Sequence, residues 1–166
     1  MAQTRYPFQQ PQGGAGGLFD ISPYAADSRS VGEAKAGALK FGMGTVQGAR
    51  PGSEVVLPKQ GTSPALFEGI LLNSHAQQMD MQGKTQLEPG QPVSVLRWGR
   101  AWARIEGGIT TEYGQRCWLI ARGESAGLFT NRDLVAAEGF AVKARFIGGP
   151  GAGDTAPVEL FNQLAE

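Results

Sequence analysis

The chain has 166 residues, and its 15 lysines and arginines are balanced by 15 aspartates and glutamates. Charged residues make up 18% of the chain, against about 25% in an ordinary soluble protein, which argues against nucleic-acid binding through bulk charge. The 25 glycines and 10 prolines favour short strands joined by tight turns, and no apolar run approaches the length of a membrane span. We therefore expect one all-β domain with a tail, made in a cytoplasm.

The first segment, residues 1–17, is rich in Pro, Gln and Gly and cannot bury enough apolar surface to order itself. Tyr6 and Phe8, with Phe19 just beyond the segment, are apolar anchors that a flexible tail does not need in water. Two interpretations stay open, a disordered tail and an arm that docks on a partner. We divide the chain into a flexible arm, residues 1–17, and a single β-rich domain, residues 18–166.

After residues 31–40, which fit a short helix or an extended segment, turn signals recur about every eight to twelve residues, as in a β-sandwich or barrel. The predicted strands lie in six stretches: 40–48, 54–58, 66–74, 92–107, 115–123 and 140–147, and 156–163 is a plausible closing strand. The stretch 140–147 has the clearest alternation, with Phe140, Val142, Ala144 and Phe146 on one face.

The stretch 92–107 carries two tryptophans and three arginines in a strand pattern. A bulge at Gly99 would place Trp98 on the inner face with Leu96, Ala101, Ala103 and Ile105. The opposite face would carry Arg97, Arg100, Trp102 and Arg104. We expect Trp98 in the core, while Trp102 fits either a protein interface, where Trp and Arg are enriched, or a core position covered by arginines.

Motifs for catalysis and metal binding fail on spacing. Gly83, Lys84 and Thr85 lack the leading glycine of a phosphate-binding loop, since Gln78 stands there. His75 is the only histidine and has no second histidine or cysteine pair to complete a metal site, so we expect a local hydrogen-bonding role. Cys117 is the only cysteine and fits a small buried hydrophobe. We therefore predict no enzyme activity, no catalytic or metal-binding residues and no cofactor.

The order of several motifs resembles the structural cement proteins, the capsid decoration proteins of tailed bacteriophages, over nearly the whole chain. The motifs that carry the resemblance are Phe41-Gly42 with Val46 and Gly48, the segment Gly69 to Ala76, and Arg97, Gly99, Arg100 and Trp102. The chain departs from the family's usual glycine-aspartate turn at Gly114-Gln115.

The resemblance implies a jelly-roll-like β domain on the outer surface of the virion, synthesised in the cytoplasm of the bacterial host. It implies binding to the major capsid protein, bridging of its neighbouring copies, and a homo-oligomer, with a dimer favoured over a trimer and no nucleic-acid or membrane partner. The predicted contact residues are Tyr6, Phe8, Phe19, Tyr24, Arg97, Arg100, Trp102 and Arg104. The alternative function is a small β-barrel module that binds oligonucleotides or carbohydrates through exposed Trp and Arg side chains.

Overall fold

A computed structural model describes residues 13–33, 37–73, 86–151 and 153–162. In this part of the chain two single-turn 3₁₀ helices, Pro64–Leu66 and Gly123–Ser125, accompany nine strands. The strands are β1 (Ala25–Val31), β2 (Gly44–Gln47), β3 (Glu54–Val56), β4 (Phe67–Leu71), β5 (Pro92–Arg104), β6 (Arg116–Ile120), β7 (Phe129–Thr130), β8 (Gly139–Phe146) and β9 (Thr155–Leu160). The all-β prediction is confirmed.

The first five strands form a ring in the order β1-β3-β2-β4-β5. The ring closes because β1 pairs with β3 on one side and with β5 on the other. Of these pairings, β1 with β3 is parallel and the others are antiparallel. Closure leaves fewer unpaired strand edges, which would otherwise invite aggregation.

A second sheet in the order β5-β9-β8-β6-β7 shares β5 with the ring. Residues 92–98 of β5 pair with β1, whereas residues 99–104 pair with β9. A single bridge between Ile105, just after β5, and Phe129 in β7 connects the far edge of the sheet back to its start. This arrangement is a barrel-like β fold in which one long strand belongs to both halves, in agreement with the expected sandwich or barrel.

Two hydrophobic cores lie on opposite faces of β4 and β5. The larger core packs the ring against the second sheet and includes Leu96, Phe129 and Phe146. The smaller core includes Leu71 and Val95, which are cross-strand partners. Alternate residues of β8, from Phe140 to Phe146, are buried in the larger core, which confirms the period of two expected there.

The bulge in β5 lies earlier than the sequence indicates. Trp98 pairs with Ala25 and Leu96 pairs with Ala26, so Arg97 is the extra residue and the faces change there. Trp98 consequently points outward with Arg100, and its side chain is 39% exposed, so the expectation that Trp98 lies in the core is wrong. Gly99 has a φ of +123°, a conformation that only glycine adopts readily, at the point where β5 passes from the ring to the second sheet.

The predicted strands match β2, β3, β4, β5, β6, β8 and β9. Two strands were not predicted, β1 and β7. The segment 31–40 begins with the last residue of β1, and its described remainder, 32–33 and 37–40, contains no helix or strand. No helix in the described ranges is long and apolar enough to cross a membrane.

Candidate interaction surface

Three charged side chains form a row across the outer face of the second sheet. Glu159 in β9 is the cross-strand partner of both Arg100 in β5 and Arg145 in β8. Arg100 Nε donates to one carboxylate oxygen of Glu159 at 3.0 Å, and Arg145 Nε donates to the other at 2.7 Å. Opposite charges placed directly across strands stabilise the sheet, and guanidinium-carboxylate bonds are among the stronger hydrogen bonds in proteins.

Arg100 also connects this row to the loop that precedes β1. Its Nη1 donates to Asp20 Oδ2 at 2.9 Å, and the backbone N–H of Ser22 donates to Asp20 Oδ1 at 3.0 Å. The hydrogen bonds around Asp20, that of Ser22 first, lower the pKa of its carboxyl below the ordinary value. Burial would raise the pKa of Glu159, but hydrogen bonds and charges of Arg145 and Arg100 outweigh it and lower the pKa. Both carboxylates are therefore ionised at neutral pH.

Aromatic side chains flank the row of charges. Trp98 and Phe161 are 39% and 44% exposed, and together with Pro23 they line a surface concavity of about 370 Å³. The guanidinium carbon of Arg145 lies 5.1 Å from the centre of the Tyr113 ring and 5.5 Å from that of Phe161, within cation-π range. We name the arginine-aromatic face by its members, Trp98, Arg100, Tyr113, Arg145, Glu159 and Phe161.

Trp102 lies on the same side of β5 but is covered by its own chain. Its side chain is 8% exposed, and the Phe19 ring lies against it with a centroid distance of 5.6 Å. Backbone bonds attach residues 16–19 to β5: Gly16 donates to the Trp102 carbonyl at 2.8 Å, and Trp102 donates to the Gly17 carbonyl at 2.9 Å. A side chain at Gly13 would overlap the indole. Within the described chain, Trp102 and Phe19 bind the N-terminal segment to the sheet.

The other predicted contact residues are separated from one another. Tyr24 is 49% exposed and lies beside Gly99 at the edge of the arginine-aromatic face. Arg97 instead pairs with Asp27 on the ring, with an N–O distance of 3.2 Å. Arg104 Nε donates to the Phe41 carbonyl at 2.8 Å. Tyr6 and Phe8 lie outside the described residues. The structure therefore groups Arg100 with Tyr24, and places Arg97 and Arg104 elsewhere.

Of the six members of the face, the sequence predicts only Arg100 as a contact residue. The sequence pattern places Trp98 in the core and gives no contact role to Tyr113, Arg145, Glu159 or Phe161. The outward direction of Arg145 was recognisable from the alternation in β8. What the sequence lacked was the strand order, because β5, β9 and β8 are neighbours only in the folded sheet.

The described residues contain no cluster of three or more His, Cys, Asp or Glu side chains able to hold a metal ion. Cys117 is fully buried, and burial raises the pKa of its thiol far above the ordinary value. A thiol in this state is a poor nucleophile, so Cys117 acts as a core side chain. His75 and the segment 83–85 lie outside the described ranges.

The family model described as "Structural cement protein (E217 gp24/Pam3 gp6)" matches residues 2–161. A chain from the solved structure of the capsid of Myoviridae Phage XM1 is similar in fold, with a TM-score of 0.71 and 16% sequence identity over 98% of this chain and 99% of that one. No curated protein matches the chain.

Proposed function

The chain belongs to the structural cement protein family, and we propose that it binds the outer surface of a phage shell and bridges neighbouring copies of the major capsid protein. Membership makes it a structural protein that stabilises the capsid of a virion.

The observation that carries the proposed contact is the composition of the arginine-aromatic face. Protein interfaces are enriched in Trp, Tyr and Arg, and their strongest contacts are aromatic or arginine side chains that become buried at the centre. Trp98, Tyr113 and Phe161 are 39%, 68% and 44% exposed and gather around two arginines that are already ordered by Glu159. Ordered side chains lose less conformational entropy on binding.

The same geometry disfavours the alternative function of an oligonucleotide-binding module. Binding to nucleic acid requires arginines that are available to phosphate. Arg100 already bonds two carboxylates, those of Asp20 and Glu159, and Arg145 bonds Glu159. We therefore propose a protein partner for this face, and a structural role that involves no chemical reaction.

The segment before Gly13 forms a second proposed contact. We propose that residues 1–12, which include Tyr6 and Phe8, contact a neighbouring molecule on the shell, and that the domain associates as a homo-oligomer, with a dimer favoured over a trimer. Deleting residues 1–12 should leave the melting temperature unchanged and lower shell occupancy, because attachment at several points is lost in part. Deleting residues 1–17 should also lower the melting temperature, because the bonds of Gly16 and Gly17 to Trp102 are lost.

A sedimentation assay tests the proposal with shells that lack the protein. Purified chain should co-sediment with them saturably, and analytical ultracentrifugation of the free chain gives its oligomeric state. Trp98→Ala should weaken binding roughly 10- to 30-fold, as expected for an interface hot spot. Leu66→Ala is the matched control, because Leu66 has a similar exposure of 45% but lies before β4 in the ring.

Absence of saturable binding by the intact chain would contradict capsid attachment. If the intact chain binds saturably but Trp98→Ala and Phe161→Ala bind as tightly as Leu66→Ala, the contact lies on another surface.

A further inference from the structure

We infer that Glu159 is the positioning residue of the arginine-aromatic face, the one carboxylate that fixes both sides of the contact surface. The inference rests on the proposed function, since it concerns how that face is prepared for its partner. Glu159 itself is mostly covered, with 16% of its side chain exposed, so it acts through the two arginines.

On the β8 side, Glu159 fixes the direction of Arg145, and Arg145 contacts two aromatic rings. The 2.7 Å bond from Arg145 Nε to Glu159 Oε2 leaves the plane of the guanidinium near Tyr113 and Phe161. An arginine without this bond would sample many rotamers, and binding would have to restrict them at a cost in conformational entropy. Glu159 therefore holds these three exposed side chains in one arrangement before the partner arrives.

On the β5 side, Glu159 shares Arg100 with Asp20. The bond from Arg100 Nη1 to Asp20 holds the loop 20–24, which carries Pro23 to the wall of the concavity and Tyr24 to its edge. Because the Nε bond to Glu159 sets the orientation of Arg100, the position of this loop depends on Glu159 as well. One carboxylate thus connects the two walls of the concavity, the loop and Phe161.

Glu159 also compensates the positive charge of the two arginines that it bonds. Arg116 in β6 is the cross-strand partner of Arg145, and Lys143 lies two residues before Arg145 in β8. Among the described residues, Asp20 is a second carboxylate that bonds Arg100. A guanidinium buried by a partner without its carboxylate carries a large desolvation cost. Glu159 lowers this cost for both arginines.

The test replaces Glu159 by its uncharged isostere. Glu159→Gln should accelerate dissociation from shells about tenfold, the order expected when charged contacts are less well ordered and compensated. Glu54→Gln is the matched control, since Glu54 in β3 also accepts a bond from an arginine, Arg50, at 2.7 Å, but lies in the ring. Wild type and both variants are compared by melting temperature and by dissociation from decorated shells after dilution.

The pH dependence of dissociation separates positioning from general stability. The folded pKa of Glu159 is lowered. Wild type should therefore dissociate more slowly than Glu159→Gln at pH values above the ordinary pKa of 4.5, and this difference should be lost as pH falls through the folded pKa. The ratio of wild-type to Glu159→Gln dissociation rates should then approach one, because every other titrating group is common to both. If Glu159→Gln does not fold, Glu159→Asp retains the charge, and its shorter side chain should give an intermediate rate.

The outcomes separate the inference from the proposed function. Failure of wild type to bind shells contradicts the proposed function. Suppose that wild type binds shells but Glu159→Gln, or the folded Glu159→Asp, dissociates no faster than Glu54→Gln. This result would overturn the inference and leave the proposed function standing. A rate ratio that is constant with pH would also overturn it.

Discussion

Replacing Gly99 by alanine should destabilise the fold strongly, because two independent costs meet at this residue. Its φ of +123° lies where side chains are strained, which costs about 1–3 kcal/mol. A Cβ would also lie 2.6 Å from the Cβ of Tyr24, closer than van der Waals contact allows, and such overpacking costs about 1–3 kcal/mol more. We expect a loss of about 3 kcal/mol in the free energy of unfolding, or roughly 6–12 °C in melting temperature.

Urea or thermal unfolding measures this loss, and two other glycines separate its causes. Gly114 has a φ of +89° with nothing within 4 Å of a Cβ, so Gly114→Ala should show the backbone strain alone, about 1 kcal/mol. Gly14 has no close neighbour and no positive φ, so Gly14→Ala should be neutral. If Gly99→Ala is no less stable than Gly114→Ala, the close approach of the loop 20–24 to β5 is wrong. Equal stability of all three variants would refute the strain as well.

Three further predictions concern stability in acid, the reactivity of Cys117 and the role of His75. Because the pKa values of Asp20, Glu106 and Glu159 are lowered in the fold, their contribution to stability is complete above their ordinary values. This contribution is lost as pH falls through the folded pKa values, so the melting temperature should drop steeply below about pH 4.5. A melting temperature that stays constant down to pH 3 would contradict the ion pairs. Cys117 should resist alkylation at pH 8 unless denaturant is added, since its thiol is buried and its pKa is raised; rapid labelling of the native chain would contradict this burial. His75→Ala should change capsid binding by no more than a few-fold, as measured by sedimentation, and complete loss by a folded variant would show that His75 contacts the partner.

Most strands were predictable because their burial pattern is local. In β8 the alternation of Phe140, Val142, Ala144 and Phe146 with polar residues follows directly from a sheet with one buried face. In contrast, β1 has only Val31 buried, and β7 has two residues, so neither gives a usable pattern. These strands form because closure of the ring and the sheet supplies partners, which the sequence near them does not encode.

The contact surface was less predictable because it depends on register and strand order. The bulge lies at Arg97, two residues before the expected position at Gly99. Trp98, between the two positions, therefore points outward, and Arg97 lies away from the arginine-aromatic face. Trp102 is of a residue type that is enriched at interfaces, but residues 13–19 of the same chain cover it. The role of Glu159 was not predictable from the sequence, because its two arginine partners lie on β5 and β8, which flank β9 only in the folded sheet.

Hydroxyl-radical footprinting of free chain and of decorated shells tests the proposed contact most directly. Free in solution, Trp98, Tyr113 and Phe161 should be oxidised, whereas the buried Trp102 should be protected. On shells, the three exposed rings should become protected by tenfold or so, as at the centre of a dry interface, while Leu66 and Val135 retain their reactivity. Unchanged oxidation of Trp98 and Phe161 on fully decorated shells would contradict the assignment of the arginine-aromatic face as the capsid-binding surface.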